Sequence, residues 1–157
     1  ALNKIKKNNK TDIPLLLKIS PDIEDHHIYE IVDVVTKNDI SAIILTNTTD
    51  GHRGKLVSDT KKEEGGLSGE PLQQISTNMI KKFYKQLNGK IPIIGVGGIN
   101  SGKSAYEKII AGASLLQLYT SFVYRGPSVA KNIKKELIQI LKAEGLNNIK
   151  EAIGKGT

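Results

Sequence analysis

Four short segments of the chain combine residue types that suit the binding of an anionic, hydrogen-bonding ligand. Lys18 lies in one apolar run, and Asn47 lies among threonines. Gly98 closes a second apolar run, and Thr120 ends a third. Lysine offers a positive charge, an asparagine amide both donates and accepts hydrogen bonds, and glycine lets a ligand approach backbone N–H groups closely. These residues predict contact with a phosphate and a polar ring, and the chain shows neither a metal-ligand cluster nor a serine–histidine–aspartate arrangement.

The elements that must position these residues are predicted strands alternating with helices. Apolar runs of strand length occupy residues 13–19, 42–46, 91–99 and 115–120. Segments with helical spacing follow at residues 20–38, 72–87, 101–112 and 126–145, with a short final turn at residues 148–153. Alternation of this kind indicates right-handed βαβ units and a parallel sheet.

The fold class that this pattern predicts is α/β, specifically the C-terminal half of a TIM (β/α)8 barrel. A complete barrel needs about 250 residues, whereas this chain has 157, which suits about four βα units. We expect one domain over residues 1–157. In such folds ligands bind at the carboxyl ends of the strands, and a glycine loop beside a helix N-terminus is typical of a phosphate site.

Two interpretations are open for the polar strand ends. By period-two alternation Lys18 shares a face with Leu16 and Ser20, so we expect a buried ammonium that a ligand at the barrel mouth would pair. A lysine that reaches solvent at a strand end is the alternative. The residues at 46–49 are either ligand contacts or ordinary turn formers, and the loop at 65–69 either approaches a flat ligand through its glycines or is merely flexible.

Composition limits the classes of partner. The net charge is +7, but the basic residues are nearly all lysines and aromatic residues make up only 4% of the chain. A solvated lysine-rich surface therefore explains the charge better than a nucleic-acid site does, because no stacking platform is evident. The chain has no cysteine, which excludes disulfides and thiolate metal sites. No apolar run reaches the roughly 18 residues of a membrane span.

Taken together, the strand ends resemble those of dihydroorotate dehydrogenases of class 2, the quinone-linked family. The segments that carry this resemblance are residues 17–22 (LKISPD), 46–49 (TNTT), 65–69 (GGLSG), 93–99 (IIGVGGI), 111–114 (AGAS) and 117–120 (QLYT). They occur in the family's order and spacing, and residues 145–154 resemble the family's C-terminus.

The resemblance implies an FMN-dependent oxidation of dihydroorotate to orotate in pyrimidine biosynthesis. It implies that FMN is contacted by Lys18, Thr46, Gly69, Gly98, Tyr119 and Thr120. Lys18 and Thr46 would contact the flavin ring, while Tyr119 and Thr120 would donate backbone N–H groups to the phosphate. Asn47 and Thr48 would hold dihydroorotate or orotate. The family more often has serine where Thr120 stands, a change that a backbone contact tolerates.

The resemblance also implies a catalytic base and partners that lie outside these residues. The family's catalytic base is a serine in the preceding half-barrel, so we expect no catalytic base in this chain and do not assign that role to Ser68 or Ser101. The N-terminal half of the same enzyme, a quinone and peripheral attachment to a membrane through that N-terminal region are expected. The membrane would be the inner membrane on its cytoplasmic side in a bacterium, or the mitochondrial inner membrane in a eukaryote.

Two other functions compete with this one. One alternative is a different phosphate-binding barrel oxidoreductase, although phosphate binding alone explains neither Lys18 nor Asn47. Alternatively, the chain is a non-catalytic half-barrel that serves as a binding or assembly module. A bound flavin would favour either enzymatic function over the non-catalytic half-barrel.

Overall fold

The computed structural model describes residues 4, 5, 8 and 12–157, apart from the side chain of Lys55. Within these residues the strands are β1 (Leu16–Ile19), β2 (Ala42–Leu45), β3 (Ile93–Val96) and β4 (Leu115–Gln117). They form one parallel sheet in the order β1-β2-β3-β4. Because each strand pairs with its neighbour in sequence, the arrangement is that of four consecutive units of a (β/α)8 barrel, as predicted.

The helices connect the strands and follow the last of them. They are α1 (Asp25–Lys37), α2 (Gln73–Leu87), α3 (Gly102–Ile110), α4 (Thr120–Arg125) and α5 (Ser128–Ala143). Short 3₁₀ turns lie at Arg53–Lys55, Asp59–Lys62, Glu70–Leu72 and Ile149–Ala152. The start of α3 shows why the helices begin where they do: the Ser101 hydroxyl accepts from the Ser104 N–H, and the Ser104 hydroxyl accepts from the Ser101 N–H. This reciprocal capping satisfies two N–H groups that a helix end leaves free.

The core lies between one face of the sheet and the helices. Ile19, Ile43, Leu45 and Ile93 from the strands pack with Phe83 and other residues of α1 and α2. A second cluster joins α3 to α5 and contains Ile99, Ala105, Val129 and Ile133. The larger apolar side chains thus hold the helices on one side of the sheet and leave the carboxyl edge free to carry polar loops.

The opposite face of the sheet is covered by no helix among the described residues. Strand alternation places Leu16 and Lys18 of β1 on this face, with Leu115 and Gln117 of β4. Leu16 is 40% exposed and Leu115 is 62% exposed. The expected burial of Lys18 is wrong within the described chain, because this side chain is exposed on the uncovered face. In a barrel this is the face that turns inward.

The main differences from the sequence predictions are the starts of two elements and one additional helix. Strand β1 begins at Leu16 rather than at residue 13, and α1 begins at Asp25 rather than after Pro21. The later start of α1 has a visible reason: Asp22 receives hydrogen bonds from Thr49 and Asp50 in another loop, so it does not complete a helical turn. Helix α4 was not predicted as a separate element.

Lys108 on α3 is a fully buried lysine. Its ammonium donates to the Gln73 carbonyl at 3.1 Å and to Thr77 Oγ1 at 2.9 Å, both on α2. Burial lowers the pKa of Lys108 from 10.5 to about 8, against the opposing charge of Glu107. The Lys108 ammonium thus joins α3 to α2 through neutral acceptors. Burial of this charge lowers the free energy of unfolding only while the amine is protonated.

That cost predicts a pH dependence of stability. Below about pH 8 both the folded and the unfolded chain carry the charge, and the full cost of burial is present. Between about pH 8 and 10.5 the unfolded chain binds more protons, so the contribution of Lys108 to the free energy of unfolding rises with pH. The rise should total roughly 3 kcal/mol and should be absent in Lys108→Met.

The measurement is denaturant unfolding at several pH values between 7 and 10.5, as the difference between the protein and each variant. Lys103→Met is the matched control, because Lys103 is an exposed lysine on the same helix. Parallel stability profiles for the protein and Lys108→Met would contradict the prediction.

Candidate active site

A cleft of about 870 Å³ opens at the carboxyl edge of the four strands. All eight residues that were predicted to bind ligands line it: Lys18, Thr46, Asn47, Thr48, Gly69, Gly98, Tyr119 and Thr120. The structure therefore brings together residues from both ends of the described chain, as the strand-end argument predicts. Their individual ligand contacts stay predictions.

The first side of the cleft is formed by the loop after β2. Thr46 is buried, and its hydroxyl donates to the Asn47 carbonyl at 2.9 Å. The Asn47 N–H donates to the Ile19 carbonyl at 2.8 Å, which ties this loop to β1. The side chains of Asn47 and Thr48 are exposed and, like the Lys18 ammonium, make no hydrogen bond within the described residues. An ammonium, an amide and a hydroxyl are thus free to meet a ligand.

The second side is the glycine loop after β3. Gly97 and Gly98 have positive φ angles of 116° and 70°. A Cβ on Gly98 would lie 2.5 Å from Gln73 Cβ and 2.7 Å from Gln73 N, so this position has no room for a side chain. Gly98 and Ile99 are buried residues, and their backbone N–H groups find no acceptor in the described part of the chain. Backbone N–H groups of buried residues are nearly always paired, so these two are open to an acceptor on a ligand in the cleft.

The third side is the start of α4. The Ser121 hydroxyl donates to the Ile99 carbonyl at 2.7 Å, and the Arg125 guanidinium donates to the Asn100 carbonyl. These bonds hold the first turn of α4 beside the glycine loop. The N–H groups of Tyr119 and Thr120, where this helix begins, donate to no acceptor within residues 12–157. Two sets of free N–H groups therefore border the same cleft.

The loop between β2 and α2 closes over this side. Ser68 Oγ lies 2.9 Å from Thr120 Oγ1. A Cβ on Gly69 would lie 3.0 Å from Thr120 Cγ2, and Gly69 has a φ of 82°, so glycine suits this close contact. The charged residues that line the cleft are Lys18, Arg125 and the exposed Glu70. The cleft thus has an excess of positive charge, which favours an anionic ligand.

Sequence reasoning missed Ser121 and Arg125. Both lie on α4, the helix that was not predicted. A signal for them was present, because Gly126 and Pro127 end any helix that starts at Thr120 after two turns. That leaves a short helix whose start must lie at the end of β4.

Two further features are absent from the described residues: a cluster of metal ligands and a membrane-spanning helix. No group of three or more histidine, cysteine, aspartate or glutamate side chains there is placed to hold a metal ion. No helix in the described part of the chain is long and apolar enough to cross a membrane.

The sheet order and the cleft at its carboxyl edge define the chain as part of an α/β barrel of the (β/α)8 class. Residues 1–141 match the family model described as "Dihydroorotate dehydrogenase". The chain belongs to the dihydroorotate dehydrogenase family.

Its relatives are named as quinone-linked enzymes. The chain is 43% identical over 160 residues to "Dihydroorotate dehydrogenase (quinone)" of Nostoc punctiforme, covering 98% of this chain and 43% of the relative. It is 46% identical over 143 residues to the mitochondrial enzyme of that name from Arabidopsis thaliana, covering 90% and 31%. A crystal structure of ligand-free dihydroorotate dehydrogenase from Eimeria tenella superposes with a TM-score of 0.87 at 45% identity, covering 90% and 39%. The chain therefore spans about two fifths of the length of the Nostoc punctiforme relative.

Proposed function

We propose that this chain supplies the FMN site and part of the substrate site of an enzyme that oxidises dihydroorotate to orotate, in pyrimidine biosynthesis, and passes the electrons to a quinone. The observation that carries the proposal is that Lys18, Asn47, Gly98 and Thr120, which lie on four separate strand ends, line one cleft. Family membership favours this function over another phosphate-binding barrel. The N-terminal half of the same enzyme would complete the barrel and supply the catalytic base.

The glycine loop and the start of α4 fit the phosphate of FMN. The buried residues Gly98 and Ile99 have N–H groups without an acceptor among the described residues, and Tyr119 and Thr120 offer two more at the same cleft. Backbone N–H groups at a helix start and in a glycine loop are a common anion site. Gly69 lines the same cleft, and its lack of a Cβ lets the Thr120 side chain pack closely against its backbone.

Lys18 and Thr46 fit the flavin ring. Lys18 reaches the cleft from the uncovered face of the sheet and has no carboxylate within salt-bridge distance among the described residues. The chemistry supplied by bound FMN is acceptance of the hydride that leaves dihydroorotate. A fixed ammonium at this place would stabilise negative charge that develops in the flavin, because a preorganised charge acts strongly in a site from which water is excluded.

Asn47 and Thr48 fit the substrate ring. Dihydroorotate and orotate carry ring N–H groups, carbonyls and a carboxylate. An amide that donates and accepts, beside a hydroxyl that does both, can match those groups in one orientation. Because both side chains are free in the structure, they need break no internal hydrogen bond to do so.

The names of the relatives support a proposal for the electron acceptor and for the location. Their name supports a quinone as the acceptor, which is found in membranes. We infer a peripheral position at the inner membrane, through the N-terminal region, on the cytoplasmic side in a bacterium or in the mitochondrion of a eukaryote.

The test uses the complete barrel, by which we mean the full-length protein that carries these 157 residues. It should purify with bound flavin, bind orotate with a change in the flavin spectrum, and reduce a quinone when dihydroorotate is added. Lys18→Met should lower the turnover about 100-fold, since a charge held at the reacting centre contributes a few kcal/mol. Turnover and flavin content are measured for both proteins.

The control is Lys85→Met, which removes an exposed lysine of α2 away from the cleft and should match the parent. A Lys18→Met protein with the parent's turnover removes Lys18 from the site. A parent protein without flavin or orotate binding supports the non-catalytic module instead.

A further inference from the structure

Asp22 is a carboxylate that the proposed ligand contacts do not use. It lies in the loop after β1 and is absent from the residues that line the cleft. Its Oδ1 accepts a hydrogen bond from the Thr49 hydroxyl, and its Oδ2 accepts one from the Asp50 N–H at 3.1 Å. The Asp22 N–H in turn donates to Ser20 Oγ at 3.2 Å. One carboxylate thus joins the loop after β1 to the loop after β2.

Thr49, the residue that Asp22 holds, is fully buried. Its hydroxyl oxygen also accepts a hydrogen bond from the Gly51 N–H at 3.0 Å. Its backbone pairs with Leu67 in both directions, at 3.1 and 2.7 Å. Every polar group of Thr49 is therefore engaged, and the position of the preceding residue, Thr48, is fixed with it.

Gly66 confines Thr48 from the other side. A Cβ on Gly66 would lie 2.1 Å from Thr48 Oγ1 and 2.5 Å from Thr48 Cβ. The requirement here is space, because Gly66 does not have a positive φ. Thr48, which lines the cleft, therefore lies between a fixed neighbour and the backbone of Gly66.

We propose that Asp22 is a positioning residue, which sets the affinity of the cleft for its substrate ring by fixing Asn47 and Thr48 through Thr49. This inference rests on the proposed function, in which those two side chains contact dihydroorotate or orotate. A charge-assisted bond to a buried hydroxyl is stronger than a neutral one. Its loss leaves a buried hydroxyl and the Asp50 N–H to find other partners, and the loop shifts to supply them.

The role of Asp22 is separable from that of the phosphate contacts. The glycine loop and α4 are held together by Ser121 and Arg125. The loop that Asp22 holds has one side-chain hydrogen bond to α4 among the described residues, the exposed contact between Ser68 and Thr120, which does not involve Asp22. Removing the Asp22 bond should therefore weaken substrate binding and leave flavin binding unchanged. Because Asn47 and Thr48 would hold the ring equally in the ground state and the transition state, KM should rise with little change in kcat.

The experiment uses the complete barrel and four variants: Asp22→Ala, Asp22→Asn, Thr49→Val and Thr49→Ser. The Kd for orotate is measured from the flavin spectrum, and KM, kcat and flavin content are measured beside it. Asp22→Ala and Thr49→Val should raise the Kd and KM about tenfold, with kcat within about twofold and flavin content unchanged. Thr49→Ser keeps the hydroxyl and should stay within about twofold of the parent.

Combining Asp22→Ala with Thr49→Val should cost less than the sum of the two single changes, because both remove the bond between Asp22 and Thr49. Each change also removes one bond of its own, from the Asp50 N–H or from the Gly51 N–H. Asp33→Ala is the matched control, since Asp33 is an exposed carboxylate on α1. If Asp22→Ala does not fold, Asp22→Asn and Thr49→Val carry the same comparison.

Two results overturn the inference alone: a parent that binds orotate with variants of equal Kd, or a loss of flavin and orotate together that Thr49→Ser does not rescue. A parent that binds neither flavin nor orotate overturns the proposed function, and this inference with it.

Discussion

Replacing Gly98 by alanine should abolish stable FMN binding in the complete barrel. The added Cβ would lie 2.5 Å from Gln73 Cβ and 2.6 Å from Gln73 Cα. These atoms belong to the first residue of α2, so they cannot move as the end of a flexible side chain can. The loop must shift instead, and its N–H groups shift with it. Left-handed strain adds about 1–2 kcal/mol to the roughly 1–3 kcal/mol of overpacking, so we expect flavin affinity to fall at least about 100-fold.

Gly89→Ala is the matched control for the conformational part of this effect. Gly89 has a φ of 70°, the same as Gly98, but a Cβ there would meet nothing within 4 Å. Both variants therefore place alanine in a left-handed backbone conformation, and only Gly98→Ala adds the steric clash with Gln73. Flavin retained after gel filtration and flavin Kd are measured for both. A Gly98→Ala protein that keeps the flavin content of Gly89→Ala would show that the glycine loop does not carry the phosphate.

The strand ends were predictable because their signals are local. Proline and glycine bracket β3, so both the strand and the turn at Gly97 and Gly98 follow from residues a few positions apart. The same holds for α3, whose start is set by Ser101 and Ser104. Once the strands are assigned, the rule that parallel strands end at one edge places Lys18 and Thr120 in one cleft without further information.

The exposure of Lys18 and the bonds of Asp22 were not predictable in this way. Alternation gives the face on which Lys18 lies but not what covers that face. Pro21, Asp22 and Glu24 have the composition of a first helical turn, and only the partner of Asp22, 27 positions away, shows that it serves the loop after β2. A hydrogen bond between residues so far apart in the sequence produces no repeating pattern of residue types. The residues that hold a site in place are therefore harder to find than those that line it.

The 157-residue polypeptide by itself should not oxidise dihydroorotate, even with added FMN. Oxidation needs a base within hydrogen-bond reach of the substrate proton, and such a base contributes about 10²–10⁴-fold. The cleft residues of the described chain include no histidine or cysteine, and Ser68 already shares a hydrogen bond with Thr120. In addition, β1 and β4 each pair with one strand only within the described sheet. Leu115 is exposed on the face of the sheet that no described helix covers. The isolated polypeptide should therefore also self-associate.

The assay is dihydroorotate-dependent reduction of a quinone or a dye, with the complete barrel as the positive control at a typical turnover of about 10 per second. We expect the polypeptide to fall at least about 1,000-fold below it. Glu70 sharpens the result, because it is the one carboxylate among the described residues that line the cleft. If the polypeptide turns over and Glu70→Gln stops it, Glu70 is the base, and the assignment of the base to the N-terminal half is wrong. If the complete barrel keeps its turnover with Glu70→Gln while the polypeptide has none, Glu70 is not the base, and the assignment of the base to the N-terminal half is supported.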